Sequence, residues 1–84
     1  MKTYFITFRS VTFGQRGEQV LKEGGIRCEL LRTPKWMEER GCGYSLRFRA
    51  VEPARAVGLL EAMGVPMRKV YVQSPQGRLE EVVL

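Results

Sequence analysis

Cys42 has the surroundings in this sequence that most suggest chemistry, because it stands between Gly41 and Gly43. A cysteine that serves only as a small apolar filler is usually covered by neighbouring side chains on a regular element. Flanking glycines remove such cover and let a ligand or another backbone come close. The pattern makes Cys42 the strongest candidate for a reactive thiol, and the alternative is a small residue tolerated at the start of a strand.

Three cations near Cys42 in sequence would support reactivity: Lys35, Arg40 and Arg47. Positive charge lowers the pKa of a thiol below its free value of about 8.5 and so raises the fraction of thiolate, which is the nucleophilic form. The candidate reactive site is therefore Cys42, with the two flanking glycines, Arg40 and Arg47 around it.

Cys28 belongs to a different pattern. Ile26, Cys28 and Leu30 alternate with charged residues, as in a strand with one buried face. Cys28 is therefore predicted to be a core residue rather than a second reactive thiol. The two cysteines form no CxxC motif, and without histidine they cannot complete an ordinary zinc site, so neither a metal nor a cofactor is expected.

Length and composition indicate one small globular domain. For 84 residues with a formal net charge of +5, we expect a single domain over residues 1–73 and a C-terminal extension over residues 74–84. The absence of histidine excludes histidine-based acid–base catalysis. No apolar run approaches the roughly 18 residues that a membrane span requires, and two cysteines without a secretion signal indicate the cytoplasm. The net positive charge is compatible with an anionic partner such as nucleic acid or an acidic protein.

The first half of the chain predicts a strand, a helix and a second strand. Tyr4, Ile6 and Phe8 alternate with threonines and Phe5, and Ser10 is a suitable N-cap for the helix that follows. One face of that helix is expected to carry Phe13, Gly17, Val20, Leu21 and Gly24. Gly24 and Gly25 end the helix, and "IRCELL" is the second strand.

The second half begins with "RTPKWMEERGCG", which lacks periodicity and is predicted to be a loop long enough to be functional. Strand three follows as "YSLRFR", and a second helix begins at Pro53 with an apolar stripe of Ala56 or Val57, Leu60 and Met63. "MRKVYVQ" is strand four. "RLEEVVL" is interpreted as a short extra strand or as a tail that adds to a sheet edge, within the chain or in a homodimer.

The element order β-α-β-β-α-β predicts the α+β ferredoxin-like fold, in which two helices cover one face of a four-stranded antiparallel sheet. Its core is expected to contain nine residues: Tyr4, Ile6, Phe8, Val20, Leu21, Leu46, Phe48, Leu60 and Val70. The other sheet face stays open.

An open sheet face is also what RNA-recognition motifs use, so an RNA-binding module is the alternative function. "RGCGYSLR" matches the third-strand motif of those domains only in part, because cysteine and arginine replace two of the expected aromatic residues. The residues that would bind RNA are Phe5, Tyr44, Arg47 and Arg49. A regulatory or structural dimerisation domain is a third class that this size allows.

Several short segments of the chain recur in one family. They are Ile6-Thr7-Phe8 with Ser10, Glu18 with Leu21-Lys22, Gly25-Ile26, Pro34, Cys42-Gly43 and Leu46-Arg47-Phe48. From Tyr4 to about Tyr71 the sequence resembles the small bacterial domains of unknown function called selenium/sulfur carrier protein-like. It departs from them in having Gly41 and charged residues where relatives favour serines before the cysteine, and in its "SPQGRLEEVVL" tail.

The resemblance implies that Cys42 carries sulfur or selenium as a persulfide or selenopersulfide. A donor such as a cysteine desulfurase would load it, and an acceptor protein would take the atom away. Such a protein is expected to be a carrier without a cofactor rather than an enzyme, with nucleic acid as the second choice of partner and no membrane.

Overall fold

Five strands and two helices make up the part of the protein that the computed structural model describes, residues 1–33 and 43–83. The elements are β1 (Lys2–Phe8), α1 (Val11–Glu23), β2 (Cys28–Arg32), β3 (Tyr44–Ala50), α2 (Ala54–Ala62), β4 (Val70–Gln73) and β5 (Leu79–Val82). Strands β2 and β4 begin later than the alternation predicted. Pro53 is the N-cap of α2 rather than its first residue.

The strands form one sheet in the order β2-β3-β1-β4-β5, and all neighbours are antiparallel. Without β5 this is the strand order of the ferredoxin-like fold, so the predicted fold class is confirmed. The extra C-terminal strand is also present. It pairs with β4 of the same chain, with Val70 opposite Val82.

The core lies between the helices and one face of the sheet, which we call the inner face. On β1 and β3 this face carries the even-numbered residues, because side chains of a strand alternate between the two faces. Eight of the nine predicted core residues are buried, and Val20 is half-buried against them. Met63 was wrongly predicted to belong to the α2 stripe, since it caps the helix C-terminus and is 57% exposed.

Helix α1 begins and packs as its sequence predicts. The Ser10 hydroxyl accepts a hydrogen bond from the Phe13 amide at 3.2 Å, which satisfies one of the free N–H groups of the first turn. A Cβ added to Gly17 would lie 3.0 Å from both Leu46 Cδ1 and Phe8 Cζ. Glycine at position 17 therefore lets the helix backbone approach the sheet closely.

The opposite sheet face, which we call the outer face, carries the odd-numbered residues of β1 and β3. On β1 these are Thr3, Phe5 and Thr7, and on β3 they are Ser45, Arg47 and Arg49. Phe5 and Thr7 are buried although neither faces the helices. Within the described residues no helix has the length and apolar character needed to cross a membrane.

Candidate functional site

A backbone hydrogen bond joins Thr33 and Gly43, the described residues on either side of the segment that carries Cys42. Thr33 follows β2 and donates its N–H to the carbonyl of Gly43, directly before β3, at 3.0 Å. Residues Cys42, Gly41 and Arg40 of the predicted site lie outside the described residues, as does Lys35. The fold therefore fixes the position of Gly43, the residue that follows Cys42 in sequence.

Tyr44, the residue after Gly43, lies close to the start of α1, since a Cβ built on Gly14 would lie 3.7 Å from Tyr44 Cβ. The Arg32 guanidinium stands 5.9 Å from the centre of the Tyr44 ring. A Cβ added to Gly43 would meet no atom of the described residues within 4 Å, so packing against the described sheet does not require a glycine there.

Three buried hydroxyl side chains occupy the same end of the outer face, and sequence reasoning missed them as a group. Thr7, Thr33 and Ser45 are at most 4% exposed. The Thr7 hydroxyl accepts from the Lys69 amide at 3.0 Å, whereas the Thr33 and Ser45 hydroxyls have no hydrogen-bond partner among the described residues. Thr7 and Ser45 alternate with core residues in their strands, which is typical of solvent-facing positions, so the sequence held no signal for their burial.

Arg47, the cation predicted to assist Cys42, forms an ion pair with Glu29. The two residues are opposite each other in the β2–β3 register, and both side chains are about half exposed. Arg47 lies four positions after Gly43 along the chain, a distance of roughly 13 Å at about 3.3 Å per residue. Glu29 thus neutralises part of the Arg47 charge, and a role for Arg47 at Cys42 stays a prediction.

Cys28 is poorly suited to nucleophilic chemistry. It is half-buried on the inner face opposite Phe48, and its Sγ donates to the Glu18 carbonyl oxygen over 3.7 Å. Burial raises the pKa of the Cys28 thiol. The charge of Glu18 raises it further, and Lys22 offsets part of the effect. At neutral pH this thiol is protonated, which agrees with the prediction of a core residue.

The four residues of the RNA-binding alternative do not share one surface. Phe5, Arg47 and Arg49 are on the outer face, whereas Tyr44 is on the inner face beside α1. The Phe5 ring is only 8% exposed, so it offers no platform for stacking a base. This correction removes both aromatic rings from the predicted nucleic-acid surface.

The strand order and the position of Gly43 define a class, a small ferredoxin-like α+β domain with a cysteine next to the start of its third strand. Residues 3–72 match the family described as "Putative Se/S carrier protein-like". The chain belongs to this family, as its short motifs predicted. No curated protein and no solved structure matches the chain.

Proposed function

We propose that this protein is a sulfur or selenium carrier in which the thiol of Cys42 holds the transferred atom as a persulfide or selenopersulfide. The observation that carries the proposal is the family match, because residues 3–72 include Cys42-Gly43 and the strand that follows. A reducing compartment, the cytoplasm, would keep this thiol available. The donor that fits best is a cysteine desulfurase that bears a persulfide on its own cysteine.

Transfer needs only thiol exchange. The Cys42 thiolate attacks the terminal sulfur of the donor persulfide, a new S–S bond forms on Cys42, and the donor cysteine leaves as a thiolate. A nucleophile of the acceptor then attacks the same terminal sulfur and releases the Cys42 thiolate. Each step breaks one bond to sulfur and forms another, so no external oxidant or reductant is required.

The environment of Cys28 argues against that cysteine as the carrier. The raised pKa of the Cys28 thiol, caused mainly by burial, makes it a poor nucleophile at neutral pH. Near the start of β3, the first turn of α1 carries no acidic side chain, and a Cβ built on Gly14 would lie 3.7 Å from Tyr44 Cβ. The positive end of a helix dipole stabilises an anion nearby, so a thiolate held close to Tyr44 would be favoured.

Transfer can be tested with purified protein, a cysteine desulfurase and cysteine. Mass spectrometry of the intact protein and its peptides should show one added sulfur atom on the peptide that contains Cys42, and dithiothreitol should remove it. The Cys42→Ser variant should not be loaded. The matched control, Cys28→Ser, should be loaded like the wild type.

Equal labelling of both cysteines would make the site assignment wrong. Absence of added sulfur from the wild type, and of added selenium when selenocysteine replaces cysteine, under conditions in which the desulfurase itself is loaded, would refute the carrier function with that donor class. Circular dichroism of each variant checks that the fold is retained.

A further inference from the structure

A groove of about 920 Å³ opens where β2 begins, β3 ends and α2 begins. Its charged lining residues are Arg27, Arg47, Arg49, Arg55, Glu29 and Glu52. We call it the arginine groove. Four arginines and two glutamates give the lining a formal net charge of +2. The groove therefore carries part of the positive charge of the chain.

Two of the four arginines are already engaged within the protein. Arg47 pairs with Glu29, and Arg55 donates from Nη2 to the Gly24 carbonyl oxygen at 2.6 Å. Arg27 and Arg49 are exposed, and in the described part of the chain neither guanidinium has a hydrogen bond or ion pair. These two guanidinium groups are therefore free to bind carboxylates of a ligand, which they can do in bidentate fashion.

The groove also contains an unpaired strand edge. The β2–β3 register begins with Cys28 opposite Phe48, so Arg49 and Ala50 pair with β1 on one side and with no described strand on the other. Strand β2 itself ends the sheet and has one strand neighbour among the described residues. Free strand edges take up extended peptides through backbone hydrogen bonds.

We propose that the arginine groove binds an extended, acidic segment of a partner protein. Carboxylates of the segment would meet Arg27 and Arg49, and its backbone would pair with the free edge at Ala50. Arg49 lies roughly 20 Å from Gly43, six positions along β3 at about 3.3 Å each. The two arginines that would bind carboxylates are thus distinct from Arg47 of the predicted thiol site, and occupancy of the groove does not require the thiol chemistry at Cys42.

The lining residues favour a peptide over a nucleic acid. Among the described lining residues the aromatic one is Phe48. Because Phe48 is only 2% exposed, its ring cannot stack on a base. Glu29 and Glu52 would repel a continuous phosphate backbone, whereas a peptide can place its carboxylates beside the arginines only. The lining also includes the exposed aliphatic side chains of Val51 and Met1, which suit apolar side chains between the acidic ones.

The proposal is tested by fluorescence anisotropy with a labelled short peptide in which glutamate alternates with valine. The protein should bind it, and the same peptide with glutamine in place of glutamate should bind far more weakly. Arg27→Gln and Arg49→Gln should each weaken binding roughly threefold, and the double variant about tenfold, as expected for partly exposed charge pairs. Amide shifts in an NMR titration should fall on residues 25–29 and 47–56.

Arg78→Gln is the matched control, because it removes the same charge from an exposed arginine next to β5. Strand β5 is three strand spacings, roughly 14 Å, from β3, beyond the Debye length of about 10 Å at 0.1 M salt, so affinity should barely change. Equal weakening by Arg78→Gln and Arg49→Gln, or equal binding of the glutamine peptide, would overturn the proposal. Tighter binding of oligouridine at the same amides, or dimerisation through the groove in sedimentation, would also reject it. Cys42→Ser should leave peptide binding unchanged.

Discussion

Replacing Gly17 and Gly58 by alanine should shift stability in opposite directions, although both residues lie within helices. Alanine is better than glycine in a helix interior by about 1 kcal/mol. At Gly58 the added Cβ meets no described atom within 4 Å, so this gain should be retained. At Gly17 the Cβ would come within 3.0 Å of Leu46 and Phe8, which are both fully buried and cannot move aside without disturbing the core.

Overpacking of a filled core costs about 1–3 kcal/mol, which exceeds the helix gain. We therefore expect Gly17→Ala to be destabilised by about 1 kcal/mol and Gly58→Ala to be stabilised by about 0.5–1 kcal/mol. In a domain of this size 1 kcal/mol corresponds to roughly 4–8 °C in Tm. Thermal unfolding followed by circular dichroism measures both. A stabilised Gly17→Ala would contradict the close contact between α1 and the sheet.

The remaining predictions concern the thiols and the buried hydroxyls. Cys42 should react with iodoacetamide much faster than Cys28, and its thiol pKa should lie below about 8.5. Arg40→Gln should raise that pKa, because it removes a nearby positive charge. Alkylation of Cys42 only after unfolding would contradict a reactive thiol. Because burial raises the pKa of the Cys28 thiol, the folded state holds this proton more tightly than the unfolded chain. The stabilisation that the protonated Cys28 thiol contributes is complete below its pKa in the unfolded chain. It is lost as pH rises through the pKa of this thiol in the folded protein. The free energy of unfolding of the wild type relative to Cys28→Ala should therefore fall as pH rises past 9.0, whereas a constant difference in urea titrations would argue against the buried environment. Ser45→Ala should leave stability unchanged or raise it by up to about 1 kcal/mol, since the Ser45 hydroxyl has no partner among the described residues; a clear loss of stability would reveal a hydrogen bond to it.

Local patterns were sufficient for most of the fold. The cap at Ser10, the place of Gly17 on the packed face of α1 and the inward direction of Cys28 each depend on residues adjacent in sequence or about one helical turn apart, where spacing determines geometry. Strand order also followed, because the ferredoxin-like arrangement is a common solution for this succession of elements.

Features that depend on register could not be predicted in this way. Glu29 and Arg47 are eighteen residues apart and meet only because β2 and β3 pair with these two residues opposite each other. Phe5 and Tyr44 were assigned to one face, although Tyr44 alternates in step with the predicted core residues Leu46 and Phe48, so the strand period already places Tyr44 on the inner face. Of the predicted site, Gly43 and Arg47 fall within the described residues, and Cys42 lies outside them.

The central place of β1 in the sheet affects the order in which the chain can fold. Strand β1 is synthesised first, yet its partners come much later, with Ile6 opposite Leu46 on one side and Val70 on the other. Closing contacts 40 and 64 residues apart costs chain entropy before any burial compensates for it, so folding should be slower than in helical domains of equal length. Until β4 leaves the ribosome, one edge of β1 has no strand partner. A nascent chain of this protein should therefore expose an aggregation-prone strand edge until β4 has been synthesised.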